Sequence, residues 1–214
     1  LGYQFRWVGN VFAYCFNVNL KYCLEKKNAF INPELYGAFF RKSPLVPIIT
    51  RLGEIVGYDF NKNFSFKDNN GILKLKNYLV KNNYESVSNK PTFYFVHHMS
   101  PHWPYITDKN CNYTSKYPGK INFKGYKEAY LCNLKRIKEM INFLEINDPN
   151  AFVVFQGDHN WEMARSIKKY GDRREIFSLI KMNENCKINR TSKNNLNNLN
   201  FLKSIFECIT GDKI

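Results

Sequence analysis

No apolar run in this chain approaches the roughly 20 residues that a membrane-spanning helix needs, so the sequence holds no transmembrane segment. It has no Cys-x-x-Cys pair, which argues against a thiolate zinc knuckle. It has no internal repeat, and low complexity is confined to the Asn-rich patch from Asn194 to Asn200. Acidic residues are few, 18 against 32 basic ones, which leaves a formal charge of +14. That balance admits nucleic acid, an anionic membrane surface or an anionic substrate as partner. A dense basic run is also missing. The lysines are scattered among asparagines along the whole chain, which reads as a solvated surface and not as a nucleic-acid groove. The chain opens on Leu1 without a signal peptide, and we expect a soluble piece of a longer protein.

Aromatic residues, in contrast, are abundant: 18 Phe, 14 Tyr and 3 Trp. They point to a packed globule, and the length suits one domain or a large piece of one. Six cysteines stand at positions 15, 23, 111, 132, 186 and 208. Their even number and wide spacing permit local disulfides, most simply Cys15–Cys23, Cys111–Cys132 and Cys186–Cys208, which would place the domain outside the cytoplasm. Six buried free thiols are the alternative. The sequons at Asn63, Asn112 and Asn189 carry little weight in a chain so rich in Asn.

Histidine is the scarce residue with a pattern. The four histidines fall in two places: His97, His98 and His102 in one, His159 in the other. Each place follows a predicted buried strand, Pro91–Val96 and the run from Ala151 to Gln156. The second run ends abruptly in Gly157-Asp158-His159, where glycine is expected to let the backbone turn sharply. Strands buried on both faces belong to parallel sheets in α/β proteins, which bind ligands at the strands' carboxyl ends. A carboxylate beside an imidazole suits a divalent cation. Alone, the Asp-His pair reads equally well as a helix cap beside a surface histidine. Of His97 and His98, adjacent on a strand, one must face away from the site. His102 has a plain alternative as a loop imidazole packed on Trp103.

Other elements complete an α/β order. Tyr3–Val8 reads as a strand, and Phe12–Leu24 as a loop or irregular helix. Pro33–Phe40 and Ile48–Val56 read as short helices. Ile72, Leu75 and Leu79 keep helical spacing. After a long loop over 106–123, Tyr126, Tyr130, Leu134, Ile137, Ile141 and Leu144 predict the best helix of the chain, stopped at Asn147-Asp-Pro149. Strand, loop, helix and strand in this order make a crossover unit of a parallel sheet. Glu175–Lys181 reads as a further strand, and Leu199–Ile209 as a terminal helix closed by Gly211.

His97-x-x-x-Pro101-His102-x-Pro104-Tyr105, followed by the long helix and a strand ending in Gly157-Asp158-His159, resembles the C-terminal half of a sulfatase-like enzyme. Such enzymes belong to the alkaline phosphatase superfamily, with the lipoteichoic acid synthases and lipid A phosphoethanolamine transferases. The resemblance extends from Gly2-Tyr3, similar to the family's entry to a middle strand, to Arg174–Phe177 and Thr210-Gly-Asp212. It implies an α/β fold with a central, mostly parallel sheet flanked by helices, incomplete on its N-terminal side, so that residues 1–214 are the C-terminal portion of a catalytic domain. It implies Asp158 and His159 as metal ligands for Ca²⁺, Zn²⁺, Mn²⁺ or Mg²⁺. It makes His102 the contact to the sulfate or phosphate group or to a second metal, and His97 the upstream catalytic histidine of that motif.

Two departures stand out. Asn160 occupies a position where the family usually has Gly. No His follows His159, which disfavours the phosphoethanolamine transferases. The family's first acidic ligand and its Thr, Ser or formylglycine nucleophile lie before the Gly-Tyr strand, outside this chain. Cys15 and Cys23 lack the Cys-x-Pro-x-Arg pattern and follow the expected position, so neither is taken as nucleophile. The implied activity is metal-dependent hydrolysis or transfer of a sulfate or phosphate ester, on a substrate such as an anionic polysaccharide or a lipid headgroup. Nucleic acid is not expected as a partner. The implied location is extracytoplasmic, periplasmic or cell-surface, with a membrane anchor on the parent protein as a further expectation. A degenerate, non-catalytic binding domain, a metal nuclease using Asp158 and His159, and a structural domain with incidental histidines are the rival readings.

Overall fold

Strand β1 (Gln4–Val8) pairs in parallel with β2 (Thr92–Val96), Gln4 opposite Thr92 and Val8 opposite Val96. Alternation sorts their side chains between two faces. Val8, Tyr94 and Val96 turn to the core. Phe5, Trp7, Phe93 and Phe95 form a ladder on the other face, with Phe5 stacked on Phe93 at 5.8 Å and Trp7 on Phe95 at 4.6 Å between ring centroids. The computed structural model describes residues 2–8, 46–57, 70–82, 90–114, 116–117, 121–161, 163, 175–182 and 198–211. The expected elements over Phe12–Leu24 and Pro33–Phe40, the cysteines 15, 23 and 186, and the sequons at Asn63 and Asn189 lie outside the described residues.

Four helices are described: α1 (Val46–Ile55), α2 (Gly71–Lys81), α3 (Phe123–Asn147) and α4 (Asn198–Thr210). Asparagine starts two of them. Asn70 Oδ1 accepts the Leu73 amide at 3.0 Å, and Asn122 Oδ1 accepts that of Gly125 at 2.9 Å. Each cap satisfies an amide that has no partner within its own helix. The Asn122 cap starts α3 one turn before the first residue of the apolar pattern. At the other end of α4, Gly211 takes φ +75° and its amide returns to the Glu207 carbonyl at 2.9 Å, a left-handed stop that glycine makes without strain.

The core lies where α2 and α3 meet the strands. Val8, Ile72, Leu75, Leu79, Met140 and Leu144 form its buried cluster. Burying each such side chain contributes roughly 2 kcal/mol. β3 (Val153–Gln156) adds Val153 and Phe155 to the rim of the same cluster, then pairs antiparallel with β4 (Ser178–Lys181), Val153 opposite Lys181 and Gln156 opposite Ser178. Lys181 Nζ donates to the carbonyls of Pro149 and Ala151 at 2.6 and 3.2 Å, fastening the entry to β3.

The fold is therefore mixed α/β, with a two-stranded parallel sheet and a two-stranded antiparallel one. A single central sheet is not formed among the described residues. β2 and β3 share a core through Tyr94, Val96, Val153 and Phe155 without sharing a hydrogen-bonded ladder. Side-chain packing, not strand pairing, joins them. β3 is half-buried and not closed on both faces: Val153 and Phe155, on one face, pack against the core, and Gln156 is exposed. Among the described residues no helix is long and apolar enough to cross a membrane.

The segment after β2 carries structure of its own. Thr107 and Tyr113 form an antiparallel bridge. Asp108 closes the turn between them, with Oδ1 accepting the amides of Asn110 and Asn112 at 2.9 Å each. Those bonds, the Asn112 amide foremost, hold its carboxyl below the usual range. Cys111, at φ +68°, bonds through sulfur to Cys132 of α3. Cys208 is also in a disulfide.

Candidate functional site

Both motif segments leave their strands by extending the ladder. The His97 amide donates to the Val8 carbonyl at 2.9 Å, and the Gly157 amide to the Phe177 carbonyl at 2.9 Å. α2 begins directly beneath the first segment: a Cβ at Gly71 would stand 2.8 Å from the His97 carbonyl oxygen. Glycine is needed there for close approach. Gly157 is different from expectation. Its φ is not positive, and a Cβ there would meet nothing nearer than 3.7 Å. The turn into Asp158 does not depend on glycine.

Asp158 and His159 form a donor pair. Asp158 Oδ1 accepts the His159 amide at 2.9 Å, and Oδ2 stands 3.7 Å from His159 Nε2. The Asp158 side chain is 90% exposed. His159 Nδ1 bonds to the carbonyl oxygen of Asn160 at 2.5 Å. A carbonyl only accepts, so Nδ1 donates this bond, and Nε2 is the ring nitrogen left on the side of the carboxylate. Metal-bound histidines are commonly oriented in this way by a second-shell acceptor. Ligands held at 2.0–2.1 Å across a tetrahedral angle stand about 3.3 Å apart, close to the observed separation. The pair fits two corners of a divalent-metal site. Among the described residues no group of three or more His, Cys, Asp or Glu side chains is arranged to hold a metal.

His102 repeats the tautomer. Its Nδ1 donates to the Trp103 carbonyl at 2.6 Å, leaving Nε2 free on an exposed ring. His97 is half-buried and lies directly at the end of β2. His98 is the structural member of its pair. Its Nε2 bonds to Asn133 Oδ1 of α3 at 3.0 Å, while its Nδ1 is buried without a partner among the described residues. Burial pushes its pKa down to about 4; the Asn133 bond opposes the shift, and Arg136 and His97 add to it.

An aromatic cluster links the two motif segments. Buried Trp161 donates its Nε1–H to the Tyr105 hydroxyl at 3.0 Å. Tyr105 sits on the backbone of Gly125, where a Cβ would come within 3.0 Å of its ring. Phe123 and Tyr126 lie 5.0 and 5.8 Å from the Trp161 ring. Tyr126 donates to Asn160 Oδ1 at 3.3 Å, and the Trp161 amide donates to the same oxygen at 2.7 Å. Burial first, then the neighbouring Tyr130 and Tyr105, pushes the Tyr126 hydroxyl up to about 12, so it remains a donor. Asn160 thus secures the turn that follows Asp158 and His159.

No protein-family model, curated protein or solved structure matches the chain. The site is read from its own geometry. His97 and His102 lie on one segment, Asp158 and His159 on the other, and the Tyr105–Trp161 bond holds the two segments together. Sequence reasoning missed Asn133, Tyr126 and Trp161. Only Trp161 left a signal, a rare residue two positions after His159.

Proposed function

We propose that this chain is the metal-binding portion of a sulfatase-like enzyme of the alkaline phosphatase superfamily, one that hydrolyses or transfers a sulfate or phosphate ester. The observation that carries the reading is the Asp158–His159 pair, with Oδ2 and Nε2 3.7 Å apart and the imidazole tautomer set by the Asn160 carbonyl. Asp158 and His159 would hold the divalent ion, which when bound polarises an ester oxygen and stabilises the attacking group. His102 offers an exposed Nε2 to the transferred group, and His97 lines the same segment. The remaining acidic ligand and a covalent nucleophile would come from upstream sequence. Upstream strands would also join the two small sheets into the central sheet of the alkaline-phosphatase type. The Cys111–Cys132 bond supports an extracytoplasmic location. An anionic polysaccharide or lipid headgroup agrees with the chain's positive charge.

The test is metal content by mass spectrometry on the full-length protein, with Asp158→Ala as control. One divalent ion in the wild type, lost in the variant, is the expected result. No metal in either protein overturns the reading and favours a non-catalytic binding domain. The observation behind that second reading is that only two donors meet among the described residues.

A further inference from the structure

We propose that Tyr105, Trp161 and Asn160 are positioning residues, forming a clasp that fixes the His159 imidazole relative to the segment carrying His97 and His102. The inference rests on the metal reading above. Its basis is an unbroken series of hydrogen bonds. The Tyr105 hydroxyl accepts from Trp161 Nε1 at 3.0 Å, the Trp161 amide donates to Asn160 Oδ1 at 2.7 Å, and the Asn160 carbonyl accepts from His159 Nδ1. The ring of His159 therefore takes its direction from a carbonyl whose own residue is gripped through its side chain. Tyr126 supplies a second grip on that oxygen, at 3.3 Å, from α3.

Burial gives the clasp its stiffness. Trp161 is 2% exposed and Tyr105 4%. In so dry a place a lost partner leaves an indole N–H unsatisfied, and local structure must shift to rescue it. Asn160 directly precedes Trp161 and is bonded to its amide, so a shift of the indole is passed to that turn and to the carbonyl that orients His159. The two ends of the series lie on segments that share no strand pairing among the described residues. Register between β2 and β3 cannot set the site's geometry there, and the side-chain bonds take that role.

The experiment is a Mn²⁺ titration of the full-length protein, followed by electron paramagnetic resonance, with melting temperatures measured in chelator. Tyr105→Phe keeps the ring and removes the acceptor. Asn160→Ala releases both grips on the turn with little loss of volume, and stands in if Tyr105→Phe fails to fold. Leu75→Ala is the control, since it destabilises a core cluster that contains none of the clasp residues. We expect Tyr105→Phe and Asn160→Ala to weaken Mn²⁺ binding roughly tenfold or more, the scale of lost second-shell support. Leu75→Ala should melt earlier yet bind Mn²⁺ as the wild type does. Unchanged affinity in both clasp variants, with binding lost in Asp158→Ala, overturns the clasp and leaves the metal reading standing. An equal loss in Leu75→Ala makes the effect one of stability and also overturns it. A wild type that takes up no Mn²⁺ removes the metal reading and the clasp together.

Discussion

Oδ2 of Asp158 stands 3.7 Å from Nε2 of His159, the ring nitrogen that the Asn160 carbonyl does not engage. The two donors are preset by local bonds and yet exposed on the carboxylate side. Asp158→Asn keeps the shape and removes the charge. Metal affinity should fall by more than roughly a hundredfold, beyond what outer-shell changes cost. Stability in chelator should stay within about 0.5 kcal/mol, as for other exposed positions. Isothermal titration and thermal melts measure the two effects separately.

His98 makes stability depend on pH. Its folded-state pKa is depressed to about 4 from the ordinary 6.5 of a histidine, so between those values the unfolded chain binds more protons than the folded one. The stabilisation is complete above pH 6.5 and lost as pH falls toward 4, a difference on the order of 3 kcal/mol. His98→Gln, which keeps an amide able to reach Asn133, should flatten that part of the profile. Denaturant unfolding at several pH values gives the slope; an unchanged slope in the variant would rule out His98 as its source.

Cys111 and Cys132 close a loop with a sequence separation of 21 and pin the Thr107–Tyr113 hairpin to α3. Replacing both by Ala should cost about 3 kcal/mol, the scale for a loop of this size. Cys132 directly precedes Asn133, so the variant should also raise amide hydrogen exchange in the His97–His102 segment. Exchange mass spectrometry reads this; protection unchanged there would detach the disulfide from the site.

Gly71→Ala sets two effects against each other. Alanine gains up to about 1 kcal/mol of helix propensity. Its Cβ would meet the His97 carbonyl oxygen at 2.8 Å and Val96 Cγ1 at 3.0 Å, and backbone cannot yield as a flexible side chain can. Overpacking of this kind costs roughly 1–3 kcal/mol, so we expect a net loss of stability. A variant as stable as the wild type would show that α2 moves away from β2 at little cost.

The elements were largely legible because their signals are local. Ile72, Leu75 and Leu79 recur at helical spacing and are buried together; Pro91–Val96 and Glu175–Lys181 contain β2 and β4. The pairing of strands was not legible. Val153, Val154 and Phe155 read as a strand buried on both faces, but hydrophobic content tells neither which layer will cover a face nor which strand will pair along an edge. Asp158 and His159 stand out in the sequence because they are adjacent, and their side chains meet in the structure. The Tyr105–Trp161 and His98–Asn133 bonds join residues 56 and 35 positions apart. Nothing at either end of those pairs announces its partner.

Helix α3 divides its work along its axis. Its first three turns carry Gly125, Tyr126, Cys132 and Asn133, which hold the loops, while Met140 and Leu144 near its end belong to the core. At 25 residues it spans about 37 Å, so the two jobs scarcely overlap. Substitutions in the first half therefore bear on the segments that carry His97–His102 and Asp158–His159, and those in the second half bear on the core.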